Sequence, residues 1–190
     1  MWHSIIANYL PPAGSSVVHP HAQSAHDDIG TTAQRELVEA SRRWAGEPTF
    51  WDELVAAEAG GPRWVGRQGR VSVLTPWAPL GPHEMWAVVH GAGDLVELTD
   101  ANCADLGACL SGALAAYQQI GLASFTWALH GGGPTPTPRY AVLLRLVSRS
   151  TPTPYYRSEV TYFERLHAEA VVDHTPEQVA ELLRRHLPDT

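Results

Sequence analysis

The sequence contains no lysine: all 13 basic residues are arginine, set against 20 acidic ones for a net charge of −7. Without lysine there is no Schiff-base amine, no phosphate-loop lysine and no kinase-type lysine. The acidic balance also excludes a non-specific nucleic-acid surface, which needs a basic footprint. No apolar run reaches the ~18 residues that cross a bilayer. Residues 1–8 carry neither the basic start nor the long apolar stretch of a secretion signal, so none is expected. Cysteine is scarce: Cys103 and Cys109 stand six positions apart in a helix-like segment. On a helix that spacing turns the side chains about 120° apart with a rise of ~9 Å. It suits neither a disulfide nor a shared metal, so a reducing cytoplasm and two core thiols are expected.

What is present reads as a globular chain. Hydrophobic residues make up 44% and charged residues 17% of 190 positions. A chain of this length buries roughly 70% of its unfolded surface. Residues 15–21, entered through Pro11-Pro12-Ala13-Gly14, read as a short strand. Helices are expected over 32–44 and about 49–59, the second closed by Gly60-Gly61. Strand-like runs follow at 63–66, 70–76 and 84–90. The strongest helix starts from Thr99 as N-cap, carries Cys103, Leu106, Leu110, Leu114 and Tyr117 as its stripe, and ends at Gly121. Strands at 123–130 and 139–147 flank a Gly/Pro loop, and short β segments are expected near 160–163 and 168–172. Thr175, Pro176 and Gln178 form the start of a final helix with a capping-box pattern. The class is α+β, a mainly antiparallel sheet packed with helices.

Ten histidines stand out, and two of them fall in His19-Pro20-His21-Ala22-Gln23. On a strand the side-chain period is two, so His19, His21 and Gln23 share one face, ~6.5–7 Å between neighbours. Gly14-Ser15-Ser16 upstream offers backbone N–H groups and hydroxyls, the ingredients of a phosphate nest. A neutral imidazole attacks phosphorus and forms a phosphoramidate that can be resolved, with its tautomer set by the first histidine or a backbone carbonyl. Gln23 can donate to a phosphoryl oxygen. The plain alternative is a pair of surface histidines beside a proline, and the local chemistry leaves both readings open.

The stretch Asn8-Tyr9-Leu10-Pro11-Pro12-Ala13-Gly14-Ser15-Ser16-Val17-Val18-His19-Pro20-His21-Ala22-Gln23 resembles the signature of galactose-1-phosphate uridylyltransferases, of the histidine-triad superfamily. The resemblance extends over residues 5–186. It is carried further by Trp51-Asp52-Glu53-Leu54 with Glu58, by Pro79-Leu80-Gly81-Pro82-His83-Glu84-Met85-Trp86, and by the helix that starts at Thr175 and Pro176. It implies a histidine-triad-like antiparallel sheet packed with helices. It also implies a split into 1–30, resembling the end of the family's first half, and 31–190, resembling its second half. His21 matches the nucleophile that becomes uridylylated, with His19 as the other catalytic match. Asn8, Gly14, Ser16 and Gln23 match positions that hold the nucleotide phosphates. Glu164 matches a glutamate that contacts hexose hydroxyls. The implied reaction is ping-pong: a UDP-sugar leaves UMP on histidine, and a hexose-1-phosphate takes it.

Two departures qualify the match. Nearly all of the family's first half, with most uridine contacts and cysteine zinc ligands, lies before the His-Pro-His segment, and this chain starts shortly before His19. The segment Arg139-Tyr140-Ala141-Val142-Leu143 has no histidine where many members carry a metal-binding pair. Zinc is the cofactor the resemblance implies, and its candidate ligands are His19, Glu36 and His130. Two or three ligands fall short of the four of a closed zinc site. The strand carrying His21 is expected to lack sheet neighbours, which points to a homodimer or to a reduced chain.

Other features keep a functional and a plain reading side by side. The seven tryptophans, among them Trp127, are a stacking surface for a base or scattered packing. His26-Asp27-Asp28 is a metal cluster or a solvated turn, and His83 and His90 are expected at the surface. Gly131-Gly132-Gly133 is a phosphate contact or a hairpin loop. Three functions remain in play. The first is a nucleotidyltransferase of galactose metabolism working on nucleotide-sugars and sugar-phosphates in the cytoplasm. The second is a histidine-triad-type nucleotide hydrolase or phosphorylase. The third is a non-catalytic half-protein that binds a nucleotide or partner.

Overall fold

A computed structural model describes residues 1–134, 139–154 and 160–187. Seven strands form one antiparallel sheet: β1 (Trp2–Tyr9), β2 (Gln23–Asp27), β3 (Trp64–Gln68), β4 (Val71–Leu74), β5 (Met85–Val89), β6 (Ser124–His130) and β7 (Leu143–Arg149). Their order is β2-β1-β6-β7-β5-β4-β3, every neighbouring pair antiparallel. Helices α1 (Thr32–Arg43), α2 (Phe50–Glu58), α3 (Asp100–Gln119) and α4 (Pro176–Arg184) pack on it, as the α+β expectation requires.

Both faces of the sheet centre are covered. Val71, Val73, Met85, Ala87, Val89, Leu144 and Leu146 join α3 and α4 in one core. The intervening Leu74, Val88 and Leu143 face α1 and α2 with Val38, Trp51 and Val55. Strand period two thus sorts neighbours into two cores, and β4 is buried at all four positions. Within this sheet Glu84 is 2% exposed. Its Oε1 accepts from Arg145 Nε and from Trp86 Nε1, both at 2.7 Å, and its Oε2 accepts from the Leu80 amide at 2.5 Å. A buried carboxylate needs such pairing to be tolerated.

Thr99 and Thr175 cap their helices as expected, and Thr31 caps α1; each does so with a reciprocal glutamine or asparagine three residues on. The stripe of α3 is turned from the expected one. Asn102, Leu106, Cys109, Ala113, Ala116 and Tyr117 are buried, Leu110 and Leu114 sit at the flank, and Cys103 is exposed. Small side chains let the helix approach the sheet closely, so alanine and Cys109 take the innermost places and large leucines the margins.

Three strand expectations are corrected. Residues 15–21 form no strand; they are a loop after a 3₁₀ turn at Pro11–Ala13. Pro11, Pro12 and Pro20 supply no amide to a ladder, and Leu10 lies at φ 70°. The strand near the motif is β2, and His26 and Asp27 belong to it rather than to a turn. Residues 160–163 and 168–172 are not strands either; a π-helical turn, Phe163–His167, lies between them. Glu164 holds it: its Oε2 accepts from the Thr161 amide and hydroxyl at 2.7 and 2.8 Å, and its Oε1 from the Val171 amide at 3.2 Å.

Residues 1–30 supply β1 and β2 to the same sheet as the rest of the chain. Gly131 to Gly133 are pinned, with amides donating to His3 O, Gly93 O and the Asp94 carboxylate. Residues 135–138 of that loop lie outside the described residues.

Candidate functional site

The site grows from β1. Its C-terminal half pairs with β6 in the register Ala7–Trp127, Asn8–Thr126 and Tyr9–Phe125. Tyr9 and Phe125 stack at 5.1 Å. Beyond Tyr9 the two prolines force a tight turn, and Gly14 completes it at φ 87°. A Cβ on Gly14 would meet nothing within 4 Å, so glycine is there for the left-handed backbone and not for space.

The chain then reverses toward β2. The Ser15 hydroxyl donates to Val17 O at 2.7 Å and accepts from the Val17 amide, closing a local turn. The loop that follows is open, with Val17 54% and Val18 70% exposed. At its end the His21 Nδ1–H donates to the His19 carbonyl at 2.8 Å. This bond fixes the tautomer and leaves Nε2 with a bare lone pair. The backbone carbonyl, one of the two partners anticipated, does this work.

His21, Pro20 and Ala22 form one wall of a cavity of about 320 Å³. Ala7, Asn8 and Tyr9 of β1, Phe125 and Trp127 of β6 and Leu114 of α3 complete it. Asn8 and His21 are therefore brought together, a nucleophilic nitrogen beside a mainly apolar, aromatic floor. Gly14, Ser16 and Gln23 are exposed nearby and do not line the cavity. The anticipated amide nest is also largely spent, because the Gly14 and Ser15 amides donate to Pro11 O and Leu10 O. The aromatic floor was missed in the sequence, where Trp127 stood as one of seven tryptophans and Phe125 drew no notice. Their alternation along β6 was the available signal.

The remaining candidates do not line the His21 cavity. Glu164 keeps its carboxylate within its own turn, and those Thr161 and Val171 hydrogen bonds lower its pKa to about 2. Glu36 is exposed on α1. His130 ends β6 with a buried Nδ1 that has no partner; burial, then the nearby Arg145 charge, lower it to about 4. His19, Glu36 and His130 do not assemble: among the described residues no group of three or more His, Cys, Asp or Glu could hold a metal. These residues therefore do not fit the zinc the resemblance implied. His83 and His90, expected at the surface, are half-buried. His90 Nε2 lies 2.7 Å from Ser72 Oγ and its Nδ1 3.5 Å from Asp52. Ser72 is sealed at 0% exposure, so this relay offers no reachable nucleophile. Among the described residues no helix is long and apolar enough to cross a membrane.

No protein-family model matches the chain. An uncharacterized protein of Archaeoglobus fulgidus is 24% identical over 179 residues, covering 93% of this chain and 54% of that protein. The chain thus spans about half the length of that relative. Among solved structures, a uridylyltransferase superposes with a TM-score of 0.84 at 24% identity, covering 97% of this chain and 60% of its own. An ADP-glucose phosphorylase from Arabidopsis thaliana with bound ADP-glucose gives 0.77 at 17% identity over 96% and 58%. A galt-like protein from the same plant gives 0.76 at 19% identity over 97% and 60%. The fold is that of the galt-like proteins, over less than two thirds of their length.

Proposed function

We propose that the chain carries the nucleophile of a nucleotidyltransferase acting on nucleotide-sugars, with His21 as the attacking group. The observation that supports this most is the His21–His19 hydrogen bond, which leaves a bare Nε2 at the wall of a cavity. In the proposed first step Nε2 attacks the phosphorus bearing the nucleoside, an N–P bond forms, and the P–O bond to the departing sugar-phosphate breaks. The proton stays on Nδ1, hydrogen-bonded to the His19 carbonyl, whose oxygen stabilises the positive charge the ring acquires. A phosphate oxygen of the acceptor hexose-1-phosphate then attacks the same phosphorus and restores the lone pair. In this reading the base lies on Tyr9, Phe125 and Trp127, Asn8 meets the phosphates, and Gly14, Ser16 and Gln23 approach them once substrate draws the loop in. Glu164 meets the sugar from its π-helical turn.

Two further proposals accompany this one. All five residues of β2 are exposed and it is the outermost strand, so a second copy pairing there is the proposed homodimer. Two free thiols, Cys103 and Cys109, support a reducing cytoplasm. Galactose is the proposed sugar on resemblance alone.

A phosphorylase is the second reading, favoured by the fit to the ADP-glucose phosphorylase fold and by Glu164 oxygens already occupied within their turn. Incubation with labelled UDP-glucose and with labelled ADP-glucose, followed by intact-mass analysis, tests both. One nucleoside monophosphate on the wild type, absent from His21→Asn, is the expected result. Transfer to galactose-1-phosphate separates the first reading from the second, in which inorganic phosphate suffices. An unlabelled wild-type chain, where a full-length uridylyltransferase becomes labelled, overturns both.

A further inference from the structure

A second cavity, of about 340 Å³, lies away from His21, between His83, the residues that follow α3, and α4. Ile120, Leu122, Val179 and Leu182 give it aliphatic walls, and His83, His174 and Gln178 are its polar members. Among the described residues neither carboxylate nor guanidinium lines it.

The protonation of His83 follows from its neighbours. The Ser148 hydroxyl donates to Pro82 O at 3.2 Å, so the Ser148 oxygen accepts from His83 Nδ1–H at 2.9 Å. The proton is thereby fixed on Nδ1, and Nε2 is left as a bare acceptor. That nitrogen is buried and has no partner. The His174 ring lies over the His83 ring, centroids 4.7 Å apart and tilted by 39°. Burial, then His174, lower the pKa of His83 to about 4, against an opposing pull from Asp173, so near neutral pH the nitrogen stays an acceptor. A buried acceptor without a donor is costly to maintain. His174 itself is exposed, in the short segment before α4, and can turn away without disturbing a core.

We propose that this cavity binds a small uncharged aromatic molecule carrying one N–H or O–H group, which donates to His83 Nε2 when His174 swings aside. Each element of that ligand answers a feature of the wall. The lack of charged lining residues calls for a neutral molecule, the four aliphatic side chains for an apolar body, and the volume for one or two fused rings. The single bare acceptor calls for one donor, and the flat face of His83, vacated by His174, for a ring to replace it. The inference is independent of the role of His21.

The test uses the full chain, ¹⁵N-labelled, titrated with indole and with 1-methylindole, which has the same shape without the donor. Indole should shift resonances of Leu122, Val179 and Leu182 and bind about tenfold more tightly than its methylated form, the worth of one hydrogen bond to a buried acceptor. His174→Ala should tighten indole several-fold and leave 1-methylindole unchanged. Leu182→Trp, at a half-buried position, should fill the cavity and abolish binding while the melting curve stays cooperative. Equal affinity for the two probes overturns the proposal. So does an absence of shifts in both the wild type and His174→Ala, which would leave a water on Nε2 as its partner.

Discussion

The sheet centre and the His21 loop are built on opposite terms. At the centre each strand residue is assigned to one of two cores, and the one buried carboxylate there, Glu84, has a donor on each oxygen. The loop of residues 14–22 follows a 3₁₀ turn and carries local bonds of one serine and one imidazole to its own backbone, with two valines in solvent. Stability resides in the first region, and the proposed reactivity belongs to the second. A nucleophile must be reachable, and reachable groups contribute little to folding.

Changes in the two regions should therefore separate stability from chemistry. The largest expected effect is Glu84→Ala, which leaves the largely covered Arg145 and the Leu80 amide without their carboxylate and should lower unfolding free energy by about 3 kcal/mol in urea titrations. A loss below 1 kcal/mol would mean the centre is less sealed than described. Next comes acid. His83 and His130 are held near 4 in the folded chain against 6.5 in an unfolded one. Between those values the unfolded chain binds the additional protons, so stability is fully present above about pH 6.5, falls as pH drops toward 4, and levels off below. Allowing for their partial exposure, each contributes ~2 kcal/mol of that loss, and His130→Gln should flatten the curve by its share. The smallest effect on folding is His21→Asn, within about 0.5 kcal/mol of wild type, as for other surface changes. The same variant should nevertheless lose the whole nucleotide adduct.

How much could be read in advance follows the same division. Two helices announced themselves through local chemistry: Thr99 marks the start of α3 and Thr175 with Gln178 that of α4, and those caps form; the Thr31–Gln34 cap of α1 was present in the sequence but went unread. β3 to β7 showed as apolar runs between glycine and proline. β1 did not, because its burial alternates only weakly and its partner is remote in sequence. The His-Pro-His segment looked like a strand because period two suits it, yet Pro20 between the histidines removes an amide a ladder needs. The tautomer of His21 was half legible, since a carbonyl two residues back was one of two partners foreseen. The fixed proton on His83 was not, as it depends on Ser148, 65 positions away.

That remoteness of β1 bears on time as well as on shape. Its ladder partner β6 lies more than a hundred residues downstream, so the long segment between them must be ordered before the floor beneath His21 can close. Contacts of such separation form slowly, since a long loop must be ordered before any of its pairings are gained. The β1–β2 pair, the helices and the central strands can settle on their near neighbours first, while the β6 side of the cavity waits on the distant pairing. The proposed nucleophile His21 is thus given its aromatic surroundings only when β6, far from it in sequence, joins β1.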